Sequence, residues 1–179
     1  MKVALIYGYA EGPRIAKNLI EYLGARGHEL VDASEAEVIL AHSGGSYLIP
    51  DNNSATRVVL VDVPYYDNHP SFIKKLSKRV TEEGISLSAL QKFIWNNWYL
   101  YSQPKRNYQM YKRVIEGEFH GVDGKKVMLV RNNNDLFGAI GQDKEQARAN
   151  GWLVEGLPGT HDDLWVNPEP YSKFLEKQL

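Results

Sequence analysis

Apolar positions along this chain fall into short continuous runs, separated by longer segments in which apolar residues recur every three or four positions. The runs Val3–Tyr7, His28–Val31, Glu37–His42, Arg57–Asp62, Lys126–Arg131 and Trp152–Glu155 predict strands. Several are apolar at successive positions, as expected of strands buried on both faces. Between the first two runs, Ile15, Leu19, Ile20 and Leu23 share one helical face, opened by Gly12-Pro13 and closed by Gly24 and Gly27. Helical patterns also cover Ser71–Glu83, Leu87–Tyr101, Tyr108–Glu116, Gln142–Asn150 and Glu169–Lys177, with Gly84 and Pro104 read as breaks between helices. Only a short helix fits after Ser43, because Pro50 and Asp51-Asn52-Asn53 interrupt it. The alternation predicts an α/β protein with a mostly parallel open sheet and helices on both faces. No internal repeat or linker is evident, so residues 1–179 read as one domain. Segment 85–116 contains no strand signal and interrupts the alternation as a helical insertion.

The strand Val38–His42 stops at Ser43, with Ala41 two positions before the serine and Gly45 two after it. Small residues at those flanks are what a sharp strand-to-helix turn requires, since a bulky side chain would collide with the neighbouring strand or helix. Such a turn exposes the serine hydroxyl above the sheet. The plainer alternative is a Gly-rich turn after a strand. Two further residues follow predicted strands in the same way: Asp135 after Lys126–Arg131, and His161 after Trp152–Glu155. In open parallel sheets ligands bind at that C-terminal edge.

The order Ser43, Asp135, His161, together with the small-x-Ser-x-small turn, resembles the α/β-hydrolase family of serine hydrolases, in its compact single-domain form. The resemblance implies Ser43 as nucleophile, His161 as general base and Asp135 as the acid orienting the histidine. It also implies an oxyanion hole from the backbone N–H groups of Gly44 and Tyr9, because Leu5-Ile6-Tyr7-Gly8-Tyr9-Ala10 is similar to the family's strand and oxyanion loop, with Tyr7 in place of its usual histidine. Asp62 is the alternative acid, because some members of the fold take theirs from the end of that strand. The insertion matches a cap over the pocket, with Trp95, Trp98 and Tyr99 as its expected substrate-binding side chains, and Tyr65, after the strand ending at Asp62, is a further one. Trp95, Trp98 and Tyr99 share one helical face, which would equally serve an ordinary core helix.

Composition narrows the function classes. The chain has 179 residues, 43% hydrophobic and 24% charged, which suits a folded domain rather than a disordered one. Its net charge of −1 carries no global field for nucleic acid or membrane. Lys105, Arg106, Lys112 and Arg113, interleaved with Tyr108 and Tyr111, read as a solvated helix face rather than a nucleic-acid stripe. The absence of cysteine removes thiolate catalysis and Cys-ligated metal sites. The five histidines are dispersed, so no metal site is expected, and neither a P-loop nor a G-x-G-x-x-G follows a strand. His42 is expected to pack between strands.

The expectation is therefore a cytoplasmic, cofactor-free serine hydrolase acting on a small acyl substrate, with an ester as default and its oligomeric state left open. Two other classes stay in view. One is a catalytically silent relative that binds a small molecule or protein. The other is a nucleotide- or flavin-binding doubly wound domain in which Ser43-Gly44-Gly45 grips phosphate.

Overall fold

The computed structural model describes residues 1–8, 11–63, 102–116, 125–131, 141–159 and 163–179. Six strands, all parallel, form a single sheet: β1 (Lys2–Ile6), β2 (Glu29–Leu30), β3 (Val38–His42), β4 (Arg57–Val61), β5 (Lys125–Arg131) and β6 (Leu153–Leu157). Their spatial order is β2-β1-β3-β4-β5-β6. The chain steps outward from β1 to β2 and then returns to the other side of β1 at β3. The order of strands thus reverses between β1 and β3, and the crevice at a reversal point is where open α/β sheets bind ligands.

Successive side chains point to opposite faces of a strand, and both faces here are covered. On one face Val3, Val38, Leu40, Val59 and Val61 pack with Leu19 and Leu23 of α1 (Lys17–Ala25), Trp165, and Phe174 and Leu175. Trp165 lies in α4 (Asp163–Val166), and Phe174 and Leu175 in α5 (Ser172–Gln178). On the other face Ala4, Ile39, Ala41, Val58 and Leu60 pack with Tyr47, Ile49, Trp152 and Ala147 of α3 (Gly141–Ala149). The remaining described helix, α2, spans Pro104–Glu116.

α1 and α3 end in the same way. Gly27 and Gly151 adopt left-handed backbone (φ 78° and 84°). The next residue's N–H reaches back into the last turn: His28 N–H donates to Leu23 O at 3.1 Å and Trp152 N–H to Ala147 O at 3.0 Å. This is the Schellman stop, which favours glycine because it lacks a Cβ.

Several boundaries differ from the sequence reading. α1 starts at Lys17 rather than at Pro13, because residues 13–16 form turns, with Ile15 N–H on Gly12 O at 3.1 Å. α2 starts at Pro104, so that proline is the first residue of a helix rather than a break; its missing N–H costs nothing in a first turn. The C-terminal segment is a 3-10 turn, Glu169–Tyr171, running into α5. The predicted helices Ser71–Glu83 and Leu87–Tyr101 lie outside the described residues.

Candidate active site

Because every strand is parallel, Ser43, Asp62 and Tyr7-Gly8 all leave the sheet at its C-terminal edge. The registers Ile6↔Ala41 and His42↔Val61 bring these three exits side by side. Ser43 follows the last residue of β3 directly and has φ 49°, a left-handed conformation that disfavours any residue with a Cβ. His42 just before it is still extended, with φ −104° and ψ 137°. The chain therefore turns from strand to left-handed backbone within one residue, as a strained nucleophile turn does. Such strain costs about 1–3 kcal/mol and persists only where the surroundings enforce it.

Two contacts enforce it here. A Cβ on Gly45 would lie 2.6 Å from the Tyr7 carbonyl carbon and 2.9 Å from Ile6 O, with Tyr7 O nearer still. Gly45 thus lets the turn press against the end of β1. On the other side, a 3-10 segment, Ser43–Leu48, carries the chain away until Ile49 returns it to extended backbone. Ser46 is buried and donates to Ala41 O at 3.3 Å, tying the segment back onto β3. Ser43, by contrast, is half-exposed. Gly44 occupies the first turn of the 3-10 segment, where backbone N–H groups have no intrahelical acceptor.

A second polar cluster lies against the turn. His42 is buried, with its ring set edge-on to Trp165 at 5.2 Å between centroids. Its Nδ1 is 2.8 Å from Glu11 Oε2, and against an ionised carboxylate the ring nitrogen donates. The same Oε2 accepts from Gly8 N–H at 2.7 Å. Arg106 of α2 donates to Gly8 O at 3.2 Å and also to Tyr7 O. Burial pulls the Arg106 guanidinium pKa below the usual arginine value, and the neighbouring Glu11 opposes that shift. Arg113 donates to Tyr47 O at 3.0 Å. Arg106 and Arg113 therefore hold α2 against the turn through backbone carbonyls, which corrects their reading as part of a solvated face. Lys105, Tyr108, Tyr111 and Lys112 do face outward.

Asp62 ends β4 in the position that Ser43 takes after β3. It too is left-handed, with φ 51°, and is fully buried. β5 ends at Arg131 and β6 at Leu157, so the strands preceding Asp135 and His161 run to the same edge as β3. Asp135 and His161 themselves lie outside the described residues, as do Tyr9, Tyr65, Trp95, Trp98 and Tyr99. Glu11 was missed in the sequence. A histidine closing an otherwise apolar, buried strand demands a polar partner, and that was the available signal for it. Among the described residues there is no group of three or more acidic or histidine side chains able to hold a metal, and no helix long and apolar enough to cross a membrane.

No protein-family model matches the chain, and no curated protein matches it in sequence. Solved structures do. A mutant of polyneuridine aldehyde esterase superposes with a TM-score of 0.63 at 12% identity, with 98% of each chain covered. An esterase from Thermogutta terrifontis gives 0.58 at 13% identity, covering 99% of this chain and 88% of the other. The thioesterase domain from the curacin biosynthetic pathway gives 0.58 at 9% identity, covering 98% and 90%. With its reversal between β1 and β3 and a left-handed serine at the end of β3, this chain has the α/β-hydrolase fold.

Proposed function

We propose that the protein is a serine hydrolase cleaving a small ester, or a thioester or amide, through an acyl-enzyme formed on Ser43. The observation that carries this reading is the left-handed backbone of Ser43 at the strand-order reversal. Left-handed backbone is costly for a residue with a Cβ, and such strain clusters at functional sites, where the surroundings hold it. The names of the similar structures, two esterases and a thioesterase domain, agree with this class of substrate.

In the proposed reaction His161 takes the Ser43 hydroxyl proton as the oxygen attacks the acyl carbonyl carbon. Asp135 fixes the imidazole tautomer and stabilises the imidazolium. The backbone N–H of Gly44, and that of Tyr9, stabilise the oxyanion, one such donor being worth about 3 kcal/mol of barrier. His161 then protonates the leaving group; next it takes a proton from water as that water attacks the acyl carbon, and returns the proton to Ser43 Oγ as the acyl–oxygen bond breaks and the acid leaves. Tyr65, Trp95, Trp98 and Tyr99 form the proposed wall for the acyl group. The reaction needs no cofactor, and a cytoplasmic setting suits a chain without cysteine. The position of Asp62, buried beside the serine's strand end, favours it as an alternative acid.

The test is a panel of acyl esters of graded chain length with the wild-type protein, Ser43→Ala, Asp135→Asn and Asp62→Asn. Hydrolysis lost in Ser43→Ala and in Asp135→Asn supports the assignment. Loss in Asp62→Asn with activity kept in Asp135→Asn moves the acid to Asp62. Hydrolysis unchanged in Ser43→Ala refutes the reading.

A further inference from the structure

We propose that Glu11 is a positioning residue for Ser43: its carboxylate clamps the loop after β1 to the residue preceding the nucleophile and so sets the attack geometry. The inference rests on the reading of Ser43 as nucleophile. One oxygen, Oε2, accepts both the Gly8 N–H and the His42 Nδ1–H, at 2.7 and 2.8 Å. His42 is the last extended residue before the left-handed turn, so holding its ring fixes where the turn begins. The ring cannot swing away, because Trp165 stands edge-on to it and the side chain is completely buried. Gly8 is held at its other polar group as well, its carbonyl accepting from Arg106. A Cβ on Gly8 would meet the Glu11 carboxylate at 2.7 Å, so glycine there is what lets the carboxylate reach the backbone.

The clamp thus joins three segments that meet at the crevice: the end of β1, the serine turn and α2. Packing alone would be served as well by apolar side chains at positions 11 and 42, since burying a hydrogen-bonded polar pair adds little net stability. A carboxylate placed there, within the loop expected to supply an oxyanion donor, fits a need for fixed geometry. Displacements of about 1 Å in such supports can cost about a hundredfold in rate.

The experiment measures the rate at which a fluorophosphonate acylates Ser43 in the full chain, alongside kcat and KM for a cleaved ester and a near-ultraviolet check of folding. Glu11→Ala should slow labelling by about 10- to 100-fold, with the loss in kcat rather than KM. Glu11→Gln should restore most of the rate, because one amide oxygen can accept both hydrogen bonds. Gly8→Ala should reproduce the loss with Glu11 still present. In wild-type protein the His42 ring N–H should give a downfield proton resonance, shielded from exchange by burial and absent in Gly8→Ala. If Glu11→Ala does not fold, Gly8→Ala and that resonance carry the test. A wild-type labelling rate in folded Glu11→Ala or Gly8→Ala overturns the clamp, as does a wild-type spectrum without the resonance. A Gln variant as slow as Ala assigns the effect to charge and overturns positioning. Failure of the wild-type protein to label at all defeats the Ser43 reading itself, a distinguishable outcome.

Discussion

Gly45→Ala should damage the serine turn more than any other single methyl group added in the described region. The new Cβ would stand 2.6 Å from the Tyr7 carbonyl carbon, whereas ordinary contact begins near 3.4 Å. Relief therefore requires a movement of at least about 0.8 Å between the turn and the end of β1, since the Tyr7 oxygen lies nearer than its carbon, and a displacement of that size costs one to two orders of magnitude in a positioned reaction. Neither side yields easily. β1 is paired to β3 up to Ile6↔Ala41, and the carbonyls of Tyr7 and Gly8 are held by Arg106. Overpacking of this kind costs about 1–3 kcal/mol. For a chain of this size that lowers Tm by roughly 2–12 °C. Thermal melts by circular dichroism and the rate of fluorophosphonate labelling read the two effects separately. Gly24→Ala in α1 is the matched control: nothing lies within 4 Å of its Cβ, and alanine there should stabilise the helix by about 0.5–1 kcal/mol. A Gly45→Ala protein that melts and labels like wild type would refute the close-approach argument.

Three other outcomes follow from the same contacts. Ser43→Gly should be about 1 kcal/mol more stable than Ser43→Ala in chemical denaturation, because both lose the hydroxyl but only alanine keeps a Cβ on left-handed backbone; equal stabilities would deny the strain. Trp165→Ala should cost about 3–5 kcal/mol, since a fully buried indole between α1 and the sheet is removed; a loss under 1 kcal/mol by denaturant melt would contradict its place in the core. Burial, then the N-terminal amine and Arg26, hold the His28 pKa below the ordinary histidine value. The folded state therefore binds fewer protons than the unfolded one, so its contribution is complete above about pH 6.5 and is lost as pH falls toward the folded value. His28→Gln should flatten that acid slope in pH-dependent melts, and an unchanged slope would remove His28 as its source.

The central strands were legible because they are continuous apolar runs: Val38–Ala41 and Val58–Val61 are buried on both faces, and no helix of that length could hide them all. The serine turn was legible for a related reason, since only small residues fit beside β1. Helix starts were less so. Pro104 reads equally as a stop or as a first helical residue, and only the docking of α2 through Arg106 and Arg113 decides between them. Those arginines were misjudged because sequence shows a charge, not the carbonyl it will meet. His42 signals the need for a polar partner but not which residue supplies it, because Gly8 and His42 lie at separate strand ends that only the β1–β3 pairing brings together around Glu11. The roles of Asp135, His161 and Tyr9 are those that the resemblance of their motifs to the α/β-hydrolase family implies.

The central claim is that Ser43 is an activated nucleophile, and peptide mass spectrometry after fluorophosphonate treatment tests it most directly. The account predicts a single phosphonyl adduct on Ser43, none on buried Ser46, and no labelling of folded Ser43→Ala protein. An adduct that persists in Ser43→Ala, or a folded wild-type protein that takes no label, would contradict it.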